Sequence, residues 1–117
     1  MITSQIFNNK DVLSLENVKK LNFLNIAAVT DFVKEKFEHS DRELYLNLTG
    51  VNFIDSFSFE RLVAVNNFAR SKRKVFKLFN ISEELEELFE LTGSSKHLNI
   101  TDSAEIKGNK GFDYRLI

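Results

Sequence analysis

Residues 44–59, LYLNLTGVNFIDSFSF, change their apolar period partway along, and that change limits what the chain can become. Leu44, Leu46 and Leu48 alternate with Tyr45 and Asn47, the pattern of a buried strand. Thr49 and Gly50 break it. Val51, Phe53 and Ile54 carry the backbone on to Asp55 and Ser56, where the spacing becomes helical. Phe59, Leu62, Val63 and Asn66 share one face, with Val65, Phe68 and Ala69 beside it. A polar pair thus stands where a central strand empties into a helix N-terminus. Unpaired backbone N–H groups and the positive end of the helix dipole suit such a place to an anion or a phosphorylated hydroxyl.

The flanking segments fit around this centre. Ile2 to Phe7 is apolar at intervals, Asn8–Lys10 reads as a turn, and Val12, Leu13 and Leu15 suggest the second arm of a hairpin. Glu16 to Asn22 has no pattern and reads as strand continuation or loop. Ile26, Val29, Val33 and Phe37, joined by Phe32, predict a first helix with Asn25 as its cap. Beyond the Phe59–Ala69 helix, Val75, Phe76, Leu78 and Phe79 predict a strand apolar on both faces. Ser82 is placed to cap a helix with Glu83 and Glu84 in its first turn, Leu85, Leu88, Phe89 and Thr92 inward, and Gly93 at its end. Leu98 and Ile100 suggest a last short strand. Residues 101–117 are expected to form an irregular or frayed tail, whether a short helix from Ser103 or a turn back through Lys107–Gly111. Strands alternating with helices after residue 40 call for largely parallel pairing, so the expected fold is α/β.

Size and charge narrow the function. A chain of 117 residues, 43% hydrophobic and with twelve Phe, can bury a core as one domain, residues 1–117. A net charge of -1 gives no general attraction to nucleic acid or anionic membranes. There is no cysteine, hence no disulfide or thiolate chemistry. No apolar run nears the roughly 18–20 residues that span a bilayer, and the first residues lack the basic and apolar regions of a signal peptide. The expectation is a cytoplasmic domain without membrane insertion. His39 and His97 stand apart from any ligand-like spacing, so no metal is expected. No glycine-rich phosphate loop or nucleophile elbow is present, and no acid–base set converges, so neither a cofactor nor catalysis is expected. The basic cluster Arg70, Lys72, Arg73, Lys74 and Lys77 reads as a solvated helix end. Glu83, Glu84, Glu86, Glu87 and Glu90 read as the wet face of an amphipathic helix, with a partner contact as the lesser alternative.

Residues 47–58, NLTGVNFIDSFS, resemble the signature of STAS domains, the family of bacterial anti-sigma factor antagonists. Its usual form is aspartate-leucine-small-glycine-valine-x-phenylalanine-isoleucine-aspartate-serine-serine-glycine. The likeness continues through Ile81–Ser82, the Leu85/Leu88/Phe89 helix and Leu91–Gly93, and spans residues 10–106. It implies a single α/β domain, a mixed sheet of four or five strands with helices on one side. It also implies a non-enzymatic protein-interaction module in bacterial signalling. The partner would be an anti-sigma factor with kinase character. Family members also serve as accessory subunits of lipid and anion transport systems, and some are proposed to bind nucleotides; both stand as alternatives.

Residue by residue, the likeness places partner binding at Asn25, Asp55, Ser56, Phe57, Ser58, Phe59 and Arg61. In regulatory members the hydroxyl one place after Ser56 is phosphorylated, and about two added negative charges break the complex. Here that place is Phe57 and the usual glycine is Ser58, so the phosphoswitch is expected to be lost unless Ser56 or Ser58 substitutes. Two positions that often carry carboxylates facing the acceptor are the amides Asn25 and Asn47. The plain reading of Asp55–Ser56 is a helix cap, worth about 1 kcal/mol. Phe57 has two readings. With Ser58 as the cap, it pairs with Leu62 as a hydrophobic staple; otherwise the ring projects as an interface anchor.

Overall fold

A computed structural model describes residues 2–103. Strands β1 (Ile2–Phe7) and β2 (Lys10–Leu15) form the expected antiparallel hairpin, with Ile2 opposite Leu15 and Phe7 opposite Lys10. Asn8 and Asn9 turn the corner at φ 49° and 61°, the left-handed backbone that two-residue hairpin loops demand and asparagine tolerates. There follow β3 (Lys20–Leu21), α1 (Ile26–His39), β4 (Leu44–Asn47), β5 (Phe53–Ile54), α2 (Ser56–Ser71), β6 (Phe76–Phe79) and α3 (Glu83–Thr92). A 3₁₀ turn, Ser94–His97, comes after α3.

Four strands make one mixed sheet in the order β1-β2-β4-β6. β2 and β6 each lie parallel to β4, so α1 and α2 serve as the crossovers. The period-2 pattern sorts side chains between the two faces. Leu13, Leu15, Leu44, Leu46, Phe76 and Leu78 share a core with Val29, Val33, Phe37, Leu62, Val65, Leu85 and Phe89 of the helices. The side chains alternating with them form a second, smaller cluster of Val12, Tyr45 and Phe79, with Phe7 packed against it. Tyr45 and Asn47 are therefore buried like Leu44, Leu46 and Leu48, with which they alternate. Burying each large side chain contributes about 1.5–3 kcal/mol, so helix packing fixes the sheet and the helix starts in one arrangement.

Two strands arise from segments with weak sequence signals. β3 and β5 pair in parallel as a separate two-stranded ribbon. The unpatterned Glu16–Asn22 segment thus holds a strand too short to show a period. The expected strand at Leu98–Ile100 is a single parallel bridge between Leu78 and Ile100. It is fixed by Leu78 N–H to the Asn99 carbonyl, 2.8 Å, and Thr101 N–H to the Leu78 carbonyl, 2.9 Å. The two alternatives for the tail fall beyond residue 103, outside the described residues.

Candidate functional site

The turn from β5 into α2 is held from both sides. Asp55, in extended backbone, is the N-cap of α2: its Oδ1 accepts the Ser58 N–H at 2.7 Å. Its Oδ2 accepts the Phe23 N–H at 3.1 Å, from a loop 32 residues earlier. Its own N–H donates to the Leu21 carbonyl at 3.0 Å. One aspartate therefore caps the helix and ties the loop before α1 to it.

The carboxyl of Asp55 lies below the ordinary aspartate value of 3.8. The Ser58 hydroxyl contributes most and the Ser58 N–H next; burial opposes them, and the Phe23 N–H adds to the lowering. Of the two Ser58 groups the N–H is the anchor, because the hydroxyl makes no hydrogen bond. Asp55 is a fixed anion at neutral pH.

With Asp55 as the cap, Ser58 is the third residue of α2, and the Phe57–Leu62 staple reading fails. Staple spacing around the true cap falls on Ile54 and Phe59, both in the main core or packed against it. The Ser58 side chain is fully buried, so a kinase could reach its hydroxyl only after the first turn of α2 opened. Ser56 is exposed. Phe57 is 44% exposed and lies under the Arg61 guanidinium, 5.0 Å from ring centroid to the charge, as i, i+4 spacing allows. Phe59 instead turns inward, its ring 5.9 Å from that of Phe89.

Asn25 stands at the cap position of α1 but makes no cap hydrogen bond. Its Oδ1 accepts the Asn22 N–H at 2.9 Å and its Nδ2 donates to the Lys20 carbonyl at 2.8 Å. The side chain thus braces the loop behind it, and its backbone is already helical. Asn47 works the same way elsewhere. It accepts from the Thr49 N–H and hydroxyl and from Asn80 Nδ2, at 3.0, 2.7 and 3.0 Å, and donates to Ser14 Oγ at 3.3 Å. Both amides donate, which an ionised carboxylate could not do.

Of the residues singled out by sequence, the structure gathers Asp55, Ser56, Phe57 and Arg61 at one surface, while Ser58 and Phe59 face the interior. It adds three that sequence patterns do not single out. Phe23, Leu24 and Phe53 are exposed at 67%, 78% and 43%. Phe23 reaches the site through its N–H bond to Asp55 and, with Phe57 and Arg61, lines a groove between α1 and α2. Phe23 stands three residues before Ile26 and so reads as a continuation of the Ile26/Val29/Val33 stripe, while Leu24 falls out of phase with it. Among the described residues, no three His, Cys, Asp or Glu side chains gather to hold a metal. No described helix is long and apolar enough to cross a membrane.

Comparison with known proteins agrees with this geometry. The family model for the STAS domain matches residues 5–105. No curated protein sequence matches. A structure described as that of a candidate anti-sigma factor antagonist from Thermotoga maritima is 25% identical, with a TM-score of 0.71 over 90% of this chain and 89% of that one. An anti-sigma-factor antagonist domain protein from Planctomyces limnophilus shares 18% identity at a TM-score of 0.74, covering 89% and 92% of the two chains. The murine solute carrier 26 anion transporter, member A9, is similar at 13% identity and a TM-score of 0.67, over 91% of this chain and 21% of the transporter.

Proposed function

The chain belongs to the STAS domain family, and from that premise we propose that it is a non-enzymatic docking module of the anti-sigma factor antagonist kind. It engages a protein partner through the β5–α2 turn and the first turn of α2. The observation that carries this reading is the exposed ring of Phe57 under Arg61, beside the exposed Ser56 and the Phe23–Leu24 loop tied to Asp55. Aromatic residues, Phe among them, and arginine are enriched at protein interfaces, and here they sit on a capped helix start.

The contact is constitutive. A phenyl ring cannot accept phosphate at the family's acceptor position, and the Ser58 hydroxyl is sealed in the core. Exposed Ser56 is the one remaining acceptor near the turn. Stoichiometric phosphorylation of Ser56 by a cognate kinase and ATP, with release of the partner, would overturn the constitutive version.

The docking reading is tested with a photo-reactive phenylalanine analogue at position 57, expressed in the source cell. One dominant protein adduct is expected, and it should vanish in competition with unlabelled wild type but not with Phe57→Asp. Adducts no stronger than those from the same analogue at exposed position 38, on α1, would sink it. The identity of the adduct separates a sigma-control partner from a transport component.

A further inference from the structure

The two grooves that flank α2 differ in charge. The one shared with α1 contains Asp31, Lys34 and Arg61. The one shared with α3, about 440 Å³, is walled by Phe53, Phe59, Leu88 and Phe89, with Asp55 at its head, and no basic residue lines it. Its floor is the Phe59–Phe89 ring pair.

The rim is acidic. α3 carries Glu83, Glu84, Glu86, Glu87 and Glu90 and no lysine or arginine. By helical spacing, Glu84 and Leu91 flank Leu88, and Glu87 lies one step further out. Glu60, next to Phe59 on α2, is exposed on the opposite rim. Leu91 is 86% exposed, so the apolar surface continues past the groove onto α3. The hydrophobic stripe and the wet face of α3 meet at an edge that nothing in the helix itself uses.

The geometry points to a basic amphipathic helix of the protein partner as the occupant of this α2–α3 groove, its apolar side against Phe53, Phe59, Leu88 and Leu91 and its lysines or arginines over Glu60, Glu84 and Glu87. This rests on the docking reading of the α2 start and adds the flank and the chemistry. Charge complementarity selects the occupant: nucleic acid, a nucleotide or an anionic lipid would meet Asp55 at the head of the groove and the exposed Glu60, Glu84 and Glu87 beside it. A second copy docking symmetrically would place one glutamate rim against another. A helix with anchors at i, i+3, i+4 and i+7 matches a groove walled by two helices.

The test uses the full chain, isotopically labelled, titrated with a synthetic helical peptide bearing leucines at i, i+3, i+4 and i+7 and lysines elsewhere. The control peptide has glutamates in place of the lysines. Amide shifts are expected at residues 53–56 and 84–92. Affinity should fall about tenfold in Glu84→Lys/Glu87→Lys, and with added salt, but hardly in Glu16→Lys/Glu38→Lys, which changes net charge equally. Shifts confined to the α1–α2 groove, equal loss in both double variants, or equal binding of the glutamate peptide would each overturn the inference. So would concentration-dependent self-association through α3 without peptide. If the position-57 adduct persists in Glu84→Lys/Glu87→Lys, docking stands and this assignment falls. If the peptide maps to the groove while no adduct forms, docking at Phe57 falls and the groove stands.

Discussion

The starts of α2 and α3 look alike in outline and differ at every position that matters. Each has a side-chain oxygen at the cap accepting the N–H three residues on, Asp55 for Ser58 and Ser82 for Leu85. After the cap, α3 places Glu83, Glu84 and Glu86 in its first turn, neutralising its own dipole, and buries Leu85 completely. α2 places Ser56, Phe57 and Phe59 where α3 has those glutamates, and buries a serine with an unpartnered hydroxyl where α3 has leucine. α3 also ends on Gly93 in the left-handed conformation, φ 68°, while its ladder closes locally. α3 is built for its own stability. α2 takes its negative charge from the cap Asp55 instead of from its first turn, and keeps the exposed ring of Phe57 beside it.

That contrast can be broken by matched substitutions. The largest effect is expected from Leu85→Ala, which leaves a hole under the first turn of α3 and should cost about 3 kcal/mol in chemical denaturation. Ser82→Ala removes the α3 cap and should cost about 1 kcal/mol by the same measurement. At the α2 position that matches Leu85 the effect is smaller. Ser58→Ala deletes a buried hydroxyl that makes no hydrogen bond but favours the Asp55 anion, so stability should change by no more than about 1 kcal/mol while the Asp55 pKa rises toward 3.8; a larger loss would mean the hydroxyl holds the turn. Phe57→Ala should change stability by no more than about 1 kcal/mol, because the ring is 44% exposed and belongs to neither core cluster, while weakening partner binding.

The smallest effect is a pH dependence. The folded-state pKa of Asp55 is depressed, so its contribution is fully present above the ordinary aspartate value of 3.8 and is lost as pH falls through the lower folded value. The stability gap between wild type and Asp55→Asn should therefore be flat at neutral pH and close only in acid below that value. A gap that closes near neutrality would contradict the cap geometry.

Local pattern accounts for the hairpin, the three helices, the Ser82 and Gly93 ends of α3 and the Asp55 junction, since caps, turns and amphipathic stripes involve residues within a few places of each other. The β3–β5 ribbon escapes such patterns because two residues make no period. Asn25 suits both a cap and a loop brace, and only the position of the Lys20 carbonyl shows that it is the brace. Sequence leaves Asp55, Ser56 and Ser58 all open as the start of α2, because each favours a cap. The bond from the Ser58 N–H to Asp55 decides among them.

By itself the sequence determined the α/β class, the family and the place where a buried strand becomes a helix. Those depend on which residues alternate and which repeat by turns. Only the tertiary structure decided that Phe23 reaches Asp55 from 32 residues away, that Ser58 turns inward while Ser56 and Phe57 turn out, and that Phe53 and Phe59 share an apolar groove with Leu88 and Phe89. The physical reason is chain closure: such contacts exist once packing of helices on the sheet fixes separate segments at one distance and orientation, and no local pattern carries that information.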